Sequence, residues 1–89
     1  MSGTVLVTLH APFHMLVKEA EHVFPWGEGL RVRDLCAALG QKLPELREFL
    51  PDGTYARHLV VIRDGRRLTL DDPVQAGDRL HLLAPAFGG

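Results

Sequence analysis

Eighty-nine residues, 46% hydrophobic and 24% charged, have the length and composition of one small globular domain and exclude a disordered chain. Ten basic against eleven acidic residues leave a net charge of −1, without the basic excess of a protein that tracks nucleic-acid phosphates. The single cysteine, Cys36, excludes an internal disulfide and a cysteine-only zinc site, and implies a reducing compartment, most simply the cytoplasm. No apolar run reaches the roughly 18 residues of a membrane span, and the N-terminus lacks the basic lead of a signal peptide. Neither a nucleic acid nor a membrane is therefore expected as a partner.

In chain order, Thr4 to His10 is rich in β-branched residues and reads as a strand, with Val5, Val7 and Leu9 on one face. Pro12 stops it, since proline cannot donate to a ladder. Phe13 to Lys18 is ambiguous between a loop and a short helical turn. Glu19 to Phe24 alternates weakly and is expected as a second strand paired with the first, ended by the turn cluster Pro25–Gly29.

From Leu30 to Leu43 the period changes. Val32, Leu35, Cys36, Leu39 and Leu43 recur at helical spacing, and Gly40 is the expected stop. Pro44 opens a short second helix whose Leu46, Phe49 and Leu50 pack inward, closed by Pro51-Asp52-Gly53. His58 to Ile62 is short, apolar and β-branched, which predicts a buried central strand. Asp64-Gly65 is hairpin chemistry, followed by a strand over Arg67 to Leu70. After Asp71-Asp72-Pro73 and the Gly77-Asp78 turn, Arg79 to Ala84 forms the last strand.

Strands grouped around one main helix predict an α+β domain over residues 1–84, a mixed sheet with the helix packed on one face. The expected core comprises Val5, Val7, Leu9, Leu35, Leu39, Val61, Leu68, Leu80 and Leu82. The last strand and the His58–Ile62 strand are expected to turn apolar side chains toward the open sheet face as well.

Residues 85–89, Pro-Ala-Phe-Gly-Gly, fit none of these elements and are expected as an extended, flexible tail. With glycine near 7% of residues, a terminal diglycine arises by chance in about 0.5% of chains, so it calls for a reason. Ordering glycines is entropically costly, and fold stability supplies no such reason. A neck without side chains does suit a carboxylate that must enter a narrow channel in another protein. The glycines of this chain match no phosphate-binding loop, so activation of the Gly89 carboxylate would fall to a partner supplying ATP and a metal ion.

The element order, the segment Leu70-Asp71-Asp72-Pro73-Val74-Gln75-Ala76-Gly77-Asp78-Arg79-Leu80 and the ending Pro85-Ala86-Phe87-Gly88-Gly89 resemble the MoaD/ThiS sulfur carriers. Val32-Arg33-Asp34-Leu35 also resembles the start of that family's main helix. The resemblance implies a ubiquitin-like β-grasp fold and a carrier that is a co-substrate, not an enzyme. Gly89 would be adenylated by a ubiquitin-activating-type enzyme using ATP and Mg²⁺, then converted by a sulfur donor to a thiocarboxylate. Gly88 would supply the slender neck, and Pro85, Ala86 and Phe87 would contact the partner. The acceptor favoured by chain length is the large subunit of molybdopterin synthase, in molybdenum or tungsten cofactor biosynthesis. Other outcomes are a carrier for thiamin, cysteine or transfer-RNA thiolation, a protein modifier joined through Gly89 to lysine, and a plain β-grasp interaction module. Two residues depart from the family pattern. Arg31 stands where Thr or Ser often caps the helix, and Phe87 where a small residue is common.

The remaining candidates have structural readings. His10, His14, His22, His58 and His81 show no metal-ligating pattern, because Ala11-Pro12 interrupts the helical spacing of His10 and His14. No bound cofactor and no metal are expected. Cys36 belongs to the apolar helix face. Phe24 and Trp26 either anchor a partner or close one end of the core, and Arg63, Arg66 and Arg67 cluster at the Asp64-Gly65 hairpin as a solvated turn or, in the alternative, a docking contact for an acidic partner.

Overall fold

The computed structural model describes residues 3–85. Five strands form one sheet: β1 (Gly3–Leu9), β2 (Glu21–Trp26), β3 (Val60–Arg63), β4 (Arg66–Leu68) and β5 (Arg79–Leu83), in spatial order β2-β1-β5-β3-β4. The central pair β1 and β5 is parallel, and the other pairings are antiparallel. The helix α1 (Val32–Lys42) covers one face. This is the β-grasp arrangement, a five-strand mixed sheet holding one main helix.

Period-two alternation sets the faces. Val5, Val7 and Leu9 from β1, Val61 from β3, and Leu80 and Leu82 from β5 are buried against Val32, Leu35, Cys36 and Leu39 of α1. The expected core is buried throughout except for Leu68, which lies half-buried against it on the short edge strand β4. Phe13, Phe24, Leu46, Leu50, Val74 and Ala84 complete it.

Boundaries differ from expectation where tertiary contacts override local signals. Pro25 and Trp26 belong to β2 and not to the turn that follows. Proline is tolerated there because β2 is an edge strand that pairs only with β1. Gly40 does not stop the helix. It is buried inside α1, where a Cβ would meet Leu50 Cδ1 at 3.2 Å, so glycine admits the close approach of the following segment. That segment is a 3-10 helix, Pro44–Phe49, which seats Leu46 in the core. His58 falls in a further 3-10 turn, Ala56–His58. In β3 only Val61 is buried, so the apolar run His58–Ile62 is not a strand covered on both faces. The Asp64-Gly65 hairpin forms as expected, with φ of 52° and 77° at its two central residues.

The missing helix cap is replaced from a distance. The Asp34 carboxylate accepts the Arg31 N–H at 2.9 Å. The N–H groups of Val32 and Arg33, which have no partner within the helix, donate to the carbonyls of Asp72 (3.0 Å) and Leu70 (2.9 Å). The Leu70–Pro73 segment thus closes the start of α1, and Arg31 forms an isolated bridge to Pro73.

Candidate functional site

The site begins at the root of the tail. β5 runs between β1 and β3, so the strand that carries the C-terminal segment is held on both edges. Leu80, Leu82 and Ala84 face the core at 0%, 3% and 0% exposure. Pro85 then stands exposed as the last described residue. The Ala84 N–H donates to Ala11 O at 3.3 Å, and the His10 N–H donates to Leu82 O at 2.8 Å. These bonds tie the departure of the chain to the β1–β2 connection. Of the expected site residues only Pro85 can be placed; Ala86, Phe87, Gly88 and Gly89 lie outside the described residues.

The sheet face opposite α1 has no element packed on it among the described residues. Register places its side chains in rows across the strands. Glu21, Thr8, His81, Ile62 and Arg67 make one row, running from β2 to β4. Val23, Leu6 and Arg79 make the next, and Leu83 stands opposite Val60. Leu6, Val60, Ile62 and Leu83 are half-exposed, and Val23 is 56% exposed. An apolar surface with Arg67 and Arg79 on it therefore lies on the strand that leads into the tail, as the alternation in β3 and β5 predicts.

His10 and His81 stand together on this face, Nε2 to Nδ1 at 2.8 Å, so one ring donates to the other. No spacing in the sequence pairs them, 71 residues apart. Both occupy outward positions at the same end of parallel neighbours, but the pairing of first and last strand is set by topology and is invisible in local pattern. His22, another of the five histidines, lies within β2. It is 7% exposed on the core side, with Nε2 bonded to Glu19 O at 2.8 Å.

The other candidates have structural roles. Trp26 Nε1–H donates to Val74 O at 2.6 Å and Phe24 is buried, so the aromatics close one end of the core. Arg63 Nη1 bonds Asp78 Oδ2 at 2.8 Å, while Arg66 and Arg67 are exposed at the hairpin. Burial pushes the Cys36 thiol up to about 11, which keeps it protonated and a poor nucleophile. No group of three or more metal-ligating side chains occurs among the described residues. An open cavity of about 500 Å³ lies on the helix side between α1 and residues 47–53, with Arg33, Arg47, Asp34, Glu48 and Asp52 around it. It presents mixed charge and no ordered set of acid, base and nucleophile. No helix of the described residues is long and apolar enough to cross a membrane.

Comparison with known proteins agrees with this geometry. SAMP1 from Haloferax volcanii superposes with a TM-score of 0.83 at 28% identity, covering 98% of this chain and 100% of that one. A putative molybdopterin converting factor subunit 1 from Pyrococcus furiosus gives 0.73 at 22% identity, covering 92% and 97%. A third structure is the complex of subunits 1 and 2 of the molybdopterin-converting factor from Helicobacter pylori, with 0.59 at 24% identity, covering 97% and 99%. No curated protein sequence matches the chain. The ThiS family model matches residues 7–89, from the middle of β1 through the diglycine. The chain belongs to the ThiS family of ubiquitin-like β-grasp proteins, which are non-catalytic carriers.

Proposed function

We propose that this chain is a sulfur carrier whose reactive atom is the carboxylate carbon of Gly89. The observation that carries the reading is the family match running through Gly88-Gly89, on a chain whose last described strand, ending just before Ala84 and Pro85, lies in an open sheet face with half-exposed apolar side chains. A ubiquitin-activating-type partner brings ATP and Mg²⁺. A Gly89 carboxylate oxygen attacks the α-phosphorus, a new P–O bond forms and pyrophosphate leaves. The terminal sulfur of a donor persulfide then attacks the acyl carbon, the bond to AMP breaks, and a second thiol cleaves the S–S bond to leave the thiocarboxylate. Gly88 lets the backbone pass a narrow channel, and Pro85, Ala86 and Phe87 contact its mouth. The acceptor favoured is the large subunit of molybdopterin synthase. The Helicobacter pylori complex joins the two subunits of a molybdopterin-converting factor, and that likeness of fold supports a synthase-type partner.

A second reading is a protein modifier. It is favoured by the likeness to SAMP1, a small archaeal modifier protein, at 28% identity. The same adenylate would then be attacked by a lysine amine of a target protein, forming an isopeptide bond and releasing AMP.

The test is the intact mass of the chain purified from its own cells without reductant, with C-terminal fragmentation. Replacement of one oxygen by sulfur at Gly89 supports the carrier, and fragmentation separates it from oxidation of Cys36, Met1 or Met15. Diglycine remnants on the lysines of other proteins support the modifier. Absence of both, together with no ATP–pyrophosphate exchange by the activating enzyme of the same organism, would leave only an interaction module.

A further inference from the structure

The His10–His81 contact on the open sheet face has a capacity that carrier chemistry does not use. His10 Nε2 and His81 Nδ1 are 2.8 Å apart, while the ring centroids are 5.0 Å apart. The difference is about two ring radii, so the imidazoles meet tip to tip and are not stacked. Two nitrogens of the kind that most often ligates transition metals therefore converge on one point. The spacing of the five histidines along the chain gives no sign of this, because the parallel pairing of β1 and β5 brings the two together.

Backbone hydrogen bonds fix both residues. His81 lies opposite Thr8 of β1 and Ile62 of β3, so its strand is held on both edges. The His10 N–H donates to Leu82 O at 2.8 Å and carries the β1–β5 ladder one residue beyond β1. Only side-chain torsions remain to be ordered, which lowers the cost of binding a ligand. His10 is exposed and His81 half-buried, so water reaches the pair. Glu21 stands at the β2 end of the His81 row, Arg67 beyond Ile62, and Arg79 two residues before His81. All three are exposed, so solvent and salt screen their charges.

We infer that His10 and His81 chelate one divalent late transition-metal ion, of the class of Zn²⁺, Ni²⁺ and Cu²⁺, on the open sheet face. Zn–N bonds of about 2.0–2.1 Å at a tetrahedral angle set two ligating nitrogens roughly 3.3 Å apart, so side-chain rotation need open the contact by only about 0.5 Å. Both rings bind neutral. Whichever ring donates in the free chain passes its proton through water to its own far nitrogen, which leaves His10 with Nδ1–H and His81 with Nε2–H. Two protein donors leave the remaining positions to exchangeable water, so the ion is held reversibly. Nothing in this chelate depends on the Gly89 carboxylate, and the ion binds whether or not the tail is activated.

The test titrates the untagged full chain with Zn²⁺ and, in parallel, Ni²⁺ at neutral pH, with affinity read by calorimetry and the imidazole nitrogens by NMR. One ion per chain is expected, with the His10 and His81 rings shifted and locked as the two tautomers named. His10→Gln and His81→Gln should each weaken binding at least tenfold, and the double variant little further, because a chelate loses its advantage with the first ligand. His14→Gln, one turn beyond His10 with its N–H on His10 O, should bind as the wild type does. The ring shifts are read on the wild-type chain, so the outcome does not hang on the folding of a variant. No shift of either ring at a tenfold excess of both metals would overturn the inference, as would equal affinity in the double variant. Two other results reassign the ion and also overturn it: an equal loss in His14→Gln, which moves the site to the turn, or half an ion per chain in a dimer, which moves it to an interface between copies.

Discussion

Arg63 Nη1 lies 2.8 Å from Asp78 Oδ2 and 3.1 Å from Pro73 O, joining the end of β3 to the middle and the far end of the β4–β5 connection. The same Asp78 oxygen accepts the Gln75 N–H at 2.8 Å, and Asp78 O accepts the Leu6 N–H at 3.0 Å. One aspartate thus ties the turn, the parallel β1–β5 edge and β3 together. Its side chain is 17% exposed and that of Arg63 26%, so water screens the pair only in part. Asp78→Ala is expected to cost about 2 kcal/mol in urea unfolding, more than Arg63→Ala, because it also strips the Gln75 N–H of its acceptor. A coupling of about 1 kcal/mol in the double-mutant cycle is the matching expectation. Equal costs with no coupling would remove the pair from this role.

Gly53 makes a second prediction. A Cβ there would collide with the carbonyl oxygens of Arg47 and Glu48, which are backbone atoms and cannot swing away. Gly53→Ala should therefore destabilise by about 1–3 kcal/mol. Gly27 has nothing within 4 Å of the same position, so Gly27→Ala should stay within about 0.5 kcal/mol of the wild type. In a domain of this size each kcal/mol moves the thermal midpoint by about 4–8 °C, so calorimetry separates the two variants. Indistinguishable midpoints would contradict the close approach.

The contrast between Asp64-Gly65 and Gly40 marks how far local pattern reaches. The hairpin was legible because its two positive-φ residues are a local demand of the turn. Gly40 was misread as a helix stop because its reason is Leu50, ten residues away. The Leu70–Pro73 segment was legible as a motif but not as a cap, since its carbonyls serve helix donors some 40 residues earlier. At the site, the exit of β5 and the apolar open face followed from alternation. The His10–His81 contact did not, because it needs the parallel pairing of first and last strand.

The exposed pair Arg33–Asp71 carries a pH prediction. Arg33 donates to Asp71 Oδ1 through Nη2 at 2.7 Å and Nε at 3.2 Å. This fork and its charge lower the Asp71 pKa and raise that of Arg33. A carboxyl depressed in the folded state contributes stability that is full above its unfolded pKa and fades as pH falls through the folded one. Carboxyl NMR should show Asp71 titrating below ordinary aspartates, and Arg33→Ala should raise it toward them. Full exposure makes the stability effect small, so the chemical shift is the decisive readout. An Asp71 midpoint that ignores the substitution would contradict the bond.

Cys36 supplies the last prediction and bears on the sulfur chemistry. The thiol is 2% exposed, packed between α1 and the sheet, and burial alone moves it up to about 11. At pH 8 only about 0.1% is thiolate, and that fraction is shielded. The native chain should react with a thiol-specific reagent far more slowly than the chain unfolded in guanidinium. Cys36→Ala should cost the packing of a small hydrophobe, about 1 kcal/mol, and leave adenylation and thiocarboxylation unchanged. Rapid labelling of the folded chain, or loss of thiocarboxylate in the alanine variant, would instead make Cys36 a sulfur relay. The alanine variant also removes the thiol whose oxidation mimics sulfur incorporation in an intact mass. It is therefore the better chain in which to seek the modified Gly89.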